Sequence, residues 1–308
     1  MEEEVLMSYM AGIMDGDGSF SLQKLKNVSR SALYFPVLQL GMQSEHILKM
    51  FMGNFGGSYY LRNDPKYKFP FYTWRLRSIK NAAPVLEKLI KYLILKKERA
   101  QFLLDFCKNF TFIRGYPLTN EVILEREKAY LKMGAFNDCR EFKGIQSTHR
   151  PVENNETPNF WAYVAGIIES DGSFSIKKQK YQYGQRYTPI ISIDMVDPKA
   201  IEYISTNCNF GNVQANKVKA CANGICFRLA IGKKMEVIQF IENILPYLKV
   251  KHEQAKTLLE FCQNWKNTKC CKHGVPPEEM AFREECHQKI KQLNKYGVYK
   301  SSLVDLEG

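Results

Sequence analysis

The chain has 308 residues, 45% hydrophobic and 25% charged, a globular balance that excludes a disordered protein and fits two domains or one large one. Lys and Arg number 44 against 32 Asp and Glu, a formal charge of +12 that points to a polyanionic partner. No apolar run nears the roughly 18 residues that cross a bilayer, so no membrane protein is expected, and the acidic start Met1-Glu2-Glu3-Glu4 is not read as a signal peptide.

In chain order, residues 5–15 predict an apolar helix carrying Val5, Leu6, Tyr9, Met10, Ile13 and Met14. Gly12 and Gly16 lie four apart on one of its faces, although glycine inside a helix costs about 1 kcal/mol relative to alanine. Asp17-Gly18 closes the helix. An alternating strand follows at Ser19–Gln23, with Phe20 and Leu22 opposing Ser19, Ser21 and Gln23, and a second strand at Pro36–Leu40. A helical stretch ends in Asn54-Phe55-Gly56. A later strand sets Tyr72, Trp74 and Leu76 against Thr73, Arg75 and Arg77. Residues 93–107 read as a helix, and a final helix carries Arg126-Glu127 and Asn137.

The same series then recurs. Residues 9–20 read YMAGIMDGDGSF and residues 163–174 read YVAGIIESDGSF. Ser173–Lys177 and Pro189–Ile193 match the two strands, and Asn209-Phe210-Gly211 the helix end. Phe227-Arg228-Leu229 is set against Trp74-Arg75-Leu76, LKVKHEQAKTLLEFC (248–262) against LILKKERAQFLLDFC (93–107), and Arg283-Glu284 and Asn294 against Arg126-Glu127 and Asn137. Duplication explains this ordered recurrence better than chance. Each repeat reads α-β-β-α-β-β-α-α with an antiparallel sheet covered on one face. The expected division is a first repeat at 1–137, a linker at 138–160, a second repeat at 161–297 and a tail at 298–308. The linker holds Gly144, Pro151 and Pro158 and has no apolar period.

Because the small-residue helix occurs twice, the two copies are expected to pack together, with Asp17 and Asp171 meeting at the bottom of a pseudo-two-fold interface. Taken singly, either acid could simply end a helix before glycine. Acidic charge is disfavoured at a helix C-terminus, and here it occurs twice. Two close carboxylates are tolerable where divalent cations sit, and a metal pair roughly 3.5–4 Å apart suits phosphodiester cleavage. Asp15 and Glu169 read as structural.

The two dodecamers resemble the paired signature motifs of monomeric, two-motif LAGLIDADG homing endonucleases, and the resemblance spans both halves outside the linker and tail. It implies an α+β fold: a pseudo-two-fold duplicated αββαββα unit with two antiparallel DNA-binding sheets and a central two-helix interface. It also implies that Asp17 and Asp171 bind the catalytic metal, helped by the carbonyls of Gly16 and Ser170. Lys96 and Lys251 would stabilise the transition state, whereas without the resemblance each reads as a solvated charge. Gln43 is the nearest match to the family's water-positioning glutamine. The second half departs here and offers only Asp194 or Asp197. The implied cofactor is Mg²⁺ or Mn²⁺, with Ca²⁺ able to bind without supporting cleavage.

The implied activity is a monomer's site-specific hydrolysis of double-stranded DNA across the minor groove, at a long asymmetric target, leaving short 3′ overhangs. An RNA-splicing maturase and a cleavage-inactive DNA-binding protein are the alternatives on the same scaffold. A sheet reading the major groove needs polar side chains at alternate positions. The expected readers are Ser21, Gln23, Gln39, Arg75 and Arg77, then Ser175, Lys177, Ser192, Asp194 and Arg228. Lys24, Lys26, Arg30, Lys178, Lys180 and Arg186 are placed in loops as phosphate contacts.

The nine cysteines are an odd number and predict reduced thiols inside a cell, with a mitochondrion or chloroplast as candidate compartment and intron-encoded origin the family expectation. Cys270-Cys271 with His273 lacks a second half for a zinc site.

Overall fold

The structure, a computed structural model, describes residues 2–27, 30–62, 69–110, 119–136, 158–181, 184–217, 225–265 and 275–296. The chain divides into two compact units, Met1–Thr148 and His149–Gly308. Most of the expected linker, the expected tail, Asn137 and the Cys270-Cys271-His273 cluster fall outside the described residues.

The first unit runs α1 (Glu3–Gly16), β1 (Gly18–Asn27), β2 (Arg30–Met42), α2 (Glu45–Phe55), β3 (Ser58–Leu61), β4 (Tyr72–Arg77), α3 (Ile79–Leu89), α4 (Lys97–Asn109) and α5 (Asn120–Ala135). The second repeats the order: α6 (Pro158–Asp171), β5 (Gly172–Tyr181), β6 (Gly184–Met195), α7 (Pro198–Cys208), β7 (Asn212–Lys217), β8 (Ile225–Ile231), α8 (Lys234–Ile244), α9 (His252–Asn264) and α10 (Pro277–Tyr296). Each unit holds a four-stranded antiparallel sheet, ordered β1-β2-β4-β3 and β5-β6-β8-β7. The duplicated α+β expectation holds. Its helix tally was one short per repeat, because α3 and α8 follow the fourth strand unforeseen. Helix α3 keeps Ala82, Val85, Leu86 and Leu89 buried at helical spacing around an internal Pro84.

The period-2 pattern sets the sheet faces. Phe20, Leu22, Leu38, Leu40, Trp74 and Leu76 are buried under helices, as are Phe174, Ile176, Ile191, Ile193, Leu229 and Ile231. Phe51 and Phe55 of α2 lie 5.3 and 6.3 Å from the Trp74 ring, whose Nε1 donates to the Gly56 carbonyl at 2.9 Å. Ser44 caps α2 and Asp197 caps α7, so both sheet-covering helices start on a side-chain acceptor.

The ladders correct two sequence alignments. Gly18 pairs with Leu40, which pairs with Trp74; Gly172 pairs with Ile193, which pairs with Leu229. Trp74 is therefore equivalent to Leu229, not to Phe227, and Arg75 is equivalent to Ala230. Arg228 lies two residues away, at the level of Thr73. The Asn-Phe-Gly match also fails. Phe55 is the last residue of α2, whereas Phe210 follows the α7 cap Asn209. The equivalent glycines are Gly57 and Gly211, both at positive φ. A Cβ on either would come within 2.7 Å of a carbonyl on the neighbouring strand, Arg75 or Ala230.

Candidate active site and nucleic-acid interface

In the first unit, α1 ends at Gly16 with Asp17 as its exposed cap. The chain turns at once into β1 because Gly18 has no side chain. A Cβ there would lie 2.6 Å from the Met14 carbonyl oxygen and 2.7 Å from the Met14 Cα. Gly172 makes the same approach to α6, 2.6 Å from the Ile168 Cα. This close passage puts each motif's last acid at the junction of helix and sheet.

Lys96 meets that junction from the start of α4. Its Nζ donates to the carbonyls of Met14 (2.9 Å), Gly16 (2.8 Å) and Gly18 (2.7 Å). The ammonium thus sits among the carbonyls flanking Asp17 and neutralises the negative end of α1. Lys251 repeats the arrangement with Ile168 (2.8 Å), Ser170 (3.4 Å) and Gly172 (2.7 Å), around Asp171. The expected lysines and aspartates of each unit are therefore neighbours, though far apart in sequence.

The buried acids within the motifs hold the lysines in place. Asp15 accepts backbone N–H groups from Ile94 (2.7 Å), Leu95 (3.1 Å) and Lys96 (2.9 Å). Glu169 accepts those of Lys249 (2.5 Å), Val250 (2.8 Å) and Lys251 (3.0 Å). Burial pushes the Asp15 carboxyl above its ordinary range, with those N–H groups opposing the shift. Both acids anchor the turn that presents the catalytic-candidate lysine, a more specific task than the structural role read from sequence.

Asp17 and Asp171 offer hard carboxylate oxygens at accessible helix ends, the donor chemistry that a hard divalent cation takes. The donor set fits. The carbonyls of Gly16 and Ser170, the other ligands implied, already accept from lysine, which makes the two carboxylates the stronger candidates. Among the described residues, no cluster of three or more His, Cys, Asp and Glu side chains could hold a metal.

Gln43 is exposed just past β2. Val196 occupies the corresponding place after β6 and is 38% exposed. Both acids proposed as substitutes already hold a partner through one carboxylate oxygen. Asp197 caps α7 through the Lys199 N–H at 2.9 Å, and Asp194 binds Arg228 Nε at 2.6 Å.

The open sheet faces carry most of the expected readers. Ser21, Gln23, Gln39, Arg75 and Arg77 share the first face, and Ser175, Lys177, Ser192, Asp194 and Arg228 the second. Ser21 and Ser175 also donate weakly to Val37 and Ile190 carbonyls, both at 3.5 Å. Sequence reading missed Asn212, Gln214 and Asn216, which alternate along β7 beside β8. Their period-2 spacing was the available signal.

The six expected loop cations all lie in strands: Lys24 and Lys26 in β1, Arg30 in β2, Lys178 and Lys180 in β5, Arg186 in β6. Lys24, Lys178 and Lys180 have the parity of the covered sheet face, and the first two of them bind helices there. Lys24 Nζ binds Glu127 of α5 at 2.6 Å and lies 5.6 Å from the Tyr34 ring centre, and the Tyr34 hydroxyl donates to the same carboxylate. Lys178 Nζ binds Glu284 of α10 at 2.6 Å, with Tyr187 donating likewise. Each lysine has the parity of the buried Phe20–Leu22 or Phe174–Ile176 set, so it clips a helix to the sheet. The side chains of Lys26 and Arg30 lie outside the described residues.

Cys107, Cys208, Cys262 and Cys286 are free thiols, and burial pushes Cys107 and Cys262 up to about 12. Among the described residues no helix is long and apolar enough to cross a membrane.

Residues 10–110 match the family model described as LAGLIDADG endonuclease. No match is found among curated proteins. Among solved structures, the I-LtrWI LAGLIDADG homing endonuclease bound to target DNA is 18% identical, with a TM-score of 0.69 over 94% of this chain and 98% of that one. I-GzeII, a LAGLIDADG homing endonuclease in complex with its DNA target, is 17% identical, with a TM-score of 0.66 over 92% and 97%. I-SmaMI bound to an uncleaved DNA target in the presence of calcium ions is 16% identical, with a TM-score of 0.64 over 92% and 98%. Residues 10–110 thus carry the match to the LAGLIDADG endonuclease family, and the chain as a whole has the duplicated fold of the LAGLIDADG homing endonucleases.

Proposed function

We propose that the chain is a site-specific endonuclease that cuts both strands of a long, asymmetric duplex DNA target by divalent-metal-dependent hydrolysis, leaving short 3′ overhangs. One observation carries the reading. In both units the last motif acid stands at an accessible helix end among carbonyls held by a lysine ammonium. A helix end needs no acid there, whereas phosphodiester cleavage needs a metal-binding carboxylate and a nearby cation.

Asp17 and Asp171 would hold the metal, which supplies Lewis acidity to the scissile phosphate. Lys96 and Lys251 hold positive charge beside the phosphate, where negative charge grows during attack. Asp15 and Glu169 fix those lysines. Gln43 would orient water in the first half. Val196 cannot, so the halves are expected to cut their strands at unequal rates. The relatives crystallised with DNA support duplex DNA as substrate, and the excess of basic residues supports a polyanion. The mismatched open faces support an asymmetric target.

The test is incubation of the protein with a duplex library and Mg²⁺, followed by sequencing of the ends produced. The wild type should yield one preferred site. Asp17→Asn and Asp171→Asn should each bind that site and fail to cut both strands. Tight binding by the wild type without any cut, across Mg²⁺ and Mn²⁺, overturns the nuclease reading.

A further inference from the structure

On the first sheet's open face, Arg75 of β4 stands opposite Gln39 of β2. Arg75 Nε and Nη2 both donate to Gln39 Oε1, at 2.9 and 2.5 Å, and the guanidinium lies 5.8 Å from the Tyr60 ring centre. A guanidinium has five N–H donors in a rigid fork. Gln39 occupies its Nε edge, and the other edge, Nη1 with the second Nη2 hydrogen, points away from that acceptor. That end-on pair is the one that matches guanine O6 and N7.

The second sheet builds the same device with different parts. Arg228 of β8 stands opposite Asp194 of β6, and its Nε donates to Asp194 Oδ1 at 2.6 Å. Here too an acceptor holds the Nε edge. Both side chains stay accessible, Arg228 at 48% and Asp194 at 36%.

The two devices differ in register. Arg75 is level with Gln39, and Gln39 pairs with Ser19, two residues past Asp17. Arg228 is level with Asp194, the residue next to Ile193, which pairs with Gly172; its level is that of Asp171 itself. Two strand residues span about 6.8 Å, equivalent to about two base-pair steps of 3.4 Å.

Resting on the nuclease reading above, we propose that Arg75 and Arg228 are the guanine readers of the two half-sites. Gln39 and Asp194 are positioning residues that aim them, not readers in their own right. The guanine read by Arg75 lies about two base pairs farther from its cut bond than the guanine read by Arg228.

The test is selection of bound duplexes from a random library by the full chain without Mg²⁺, with cut positions then mapped by adding Mg²⁺. The wild type should enrich a guanine in each half-site, at unequal distances from the cuts. Arg75→Ala should lower discrimination at one guanine at least about fivefold and leave the other unchanged. Gln39→Ala should relax the same position, and Gln39→Glu, which keeps the acceptor, should restore it. Asp194→Ala should relax the guanine that Arg228→Ala relaxes. Guanines equidistant from the cuts overturn the assignment. So does Gln39→Ala relaxing an adenine, or Asp194→Ala relaxing a cytosine, apart from the arginine positions. Those outcomes leave a selective nuclease standing. A wild type that selects no duplex removes the nuclease reading and this assignment together.

Discussion

Lys96 serves two ends with one ammonium. It binds three carbonyls at the junction of α1 and β1 and supplies a cation beside Asp17. Lys96→Met removes both and leaves those carbonyls without their donor, a loss of about 1–3 kcal/mol. Urea unfolding followed beside cleavage should therefore show stability and rate falling together, whereas Asp17→Asn should lose the rate with stability kept. An unfolding midpoint unmoved by Lys96→Met would mean that the carbonyl contacts carry no weight. Glu284 gives the pH-dependent case. Lys178, the Tyr187 hydroxyl and Gln288 hold its carboxyl down to about 2 from an ordinary 4.5. A folded-state pKa below the unfolded one adds stability that is present above about pH 4.5 and lost as pH falls toward 2. Melting curves of Glu284→Gln should thus lie furthest below wild type above that window and converge with it at the acid end. The carboxylate is 35% exposed, so solvent screening keeps the gap small.

At the scale of elements, glycine positions separate geometry from composition. An alanine Cβ at Gly18 would press 2.6 Å against the Met14 carbonyl, backbone that cannot give way without moving Asp17. Gly18→Ala should cost about 1–3 kcal/mol in urea unfolding. Gly53, inside α2, has nothing within 4 Å of such a Cβ, and Gly53→Ala should gain about 0.5–1 kcal/mol instead. Helices α5 and α10 offer a second contrast. Arg283 is buried and pairs with Glu279 at 2.8 Å, while the equivalent Arg126 is buried with its Nε unpartnered. Val122 holds the place of Glu279, third in its helix behind the Thr119 cap. Val122→Glu would complete a capping box and give Arg126 an acceptor, so the midpoint of unfolding should rise by about 0.5–2 kcal/mol. A lower midpoint would show that the lost Val122 packing outweighs both. These cases mark where sequence was readable. Helix α1 and the first strands were legible because apolar spacing and the Asp-Gly stop agree. The faces of Lys24 and Lys178 were not, because a lysine near a hairpin tip looks solvated until the helix carrying Glu127 or Glu284 is placed. Helix α3 was hidden by Pro84.

Across the whole molecule, the duplication was legible and its internal slippage was not. The motifs repeat 154 positions apart, yet the hairpin and the β7–β8 region differ in length, so matching Arg75 to Arg228 by local similarity missed the ladder by two residues. Only strand pairing reports register, since a slip of two keeps every side chain on its face. The net charge of +12 hides a similar distinction. Cations that neutralise phosphates release counterions, and each contributes about 0.9 to the slope of log affinity against log salt. Arg186 is exposed and has the open-face parity of Ser192 and Asp194, whereas Lys178 is spent on Glu284 behind the sheet. Fluorescence anisotropy of the selected duplex at several salt concentrations should show Arg186→Ala lowering the slope by about 1. Lys178→Ala should leave the slope unchanged and instead lower the melting temperature, because it loosens α10 from β5. If Lys178→Ala flattens the salt dependence as much as Arg186→Ala, the helix clip opens on binding and the lysine turns to the phosphate backbone.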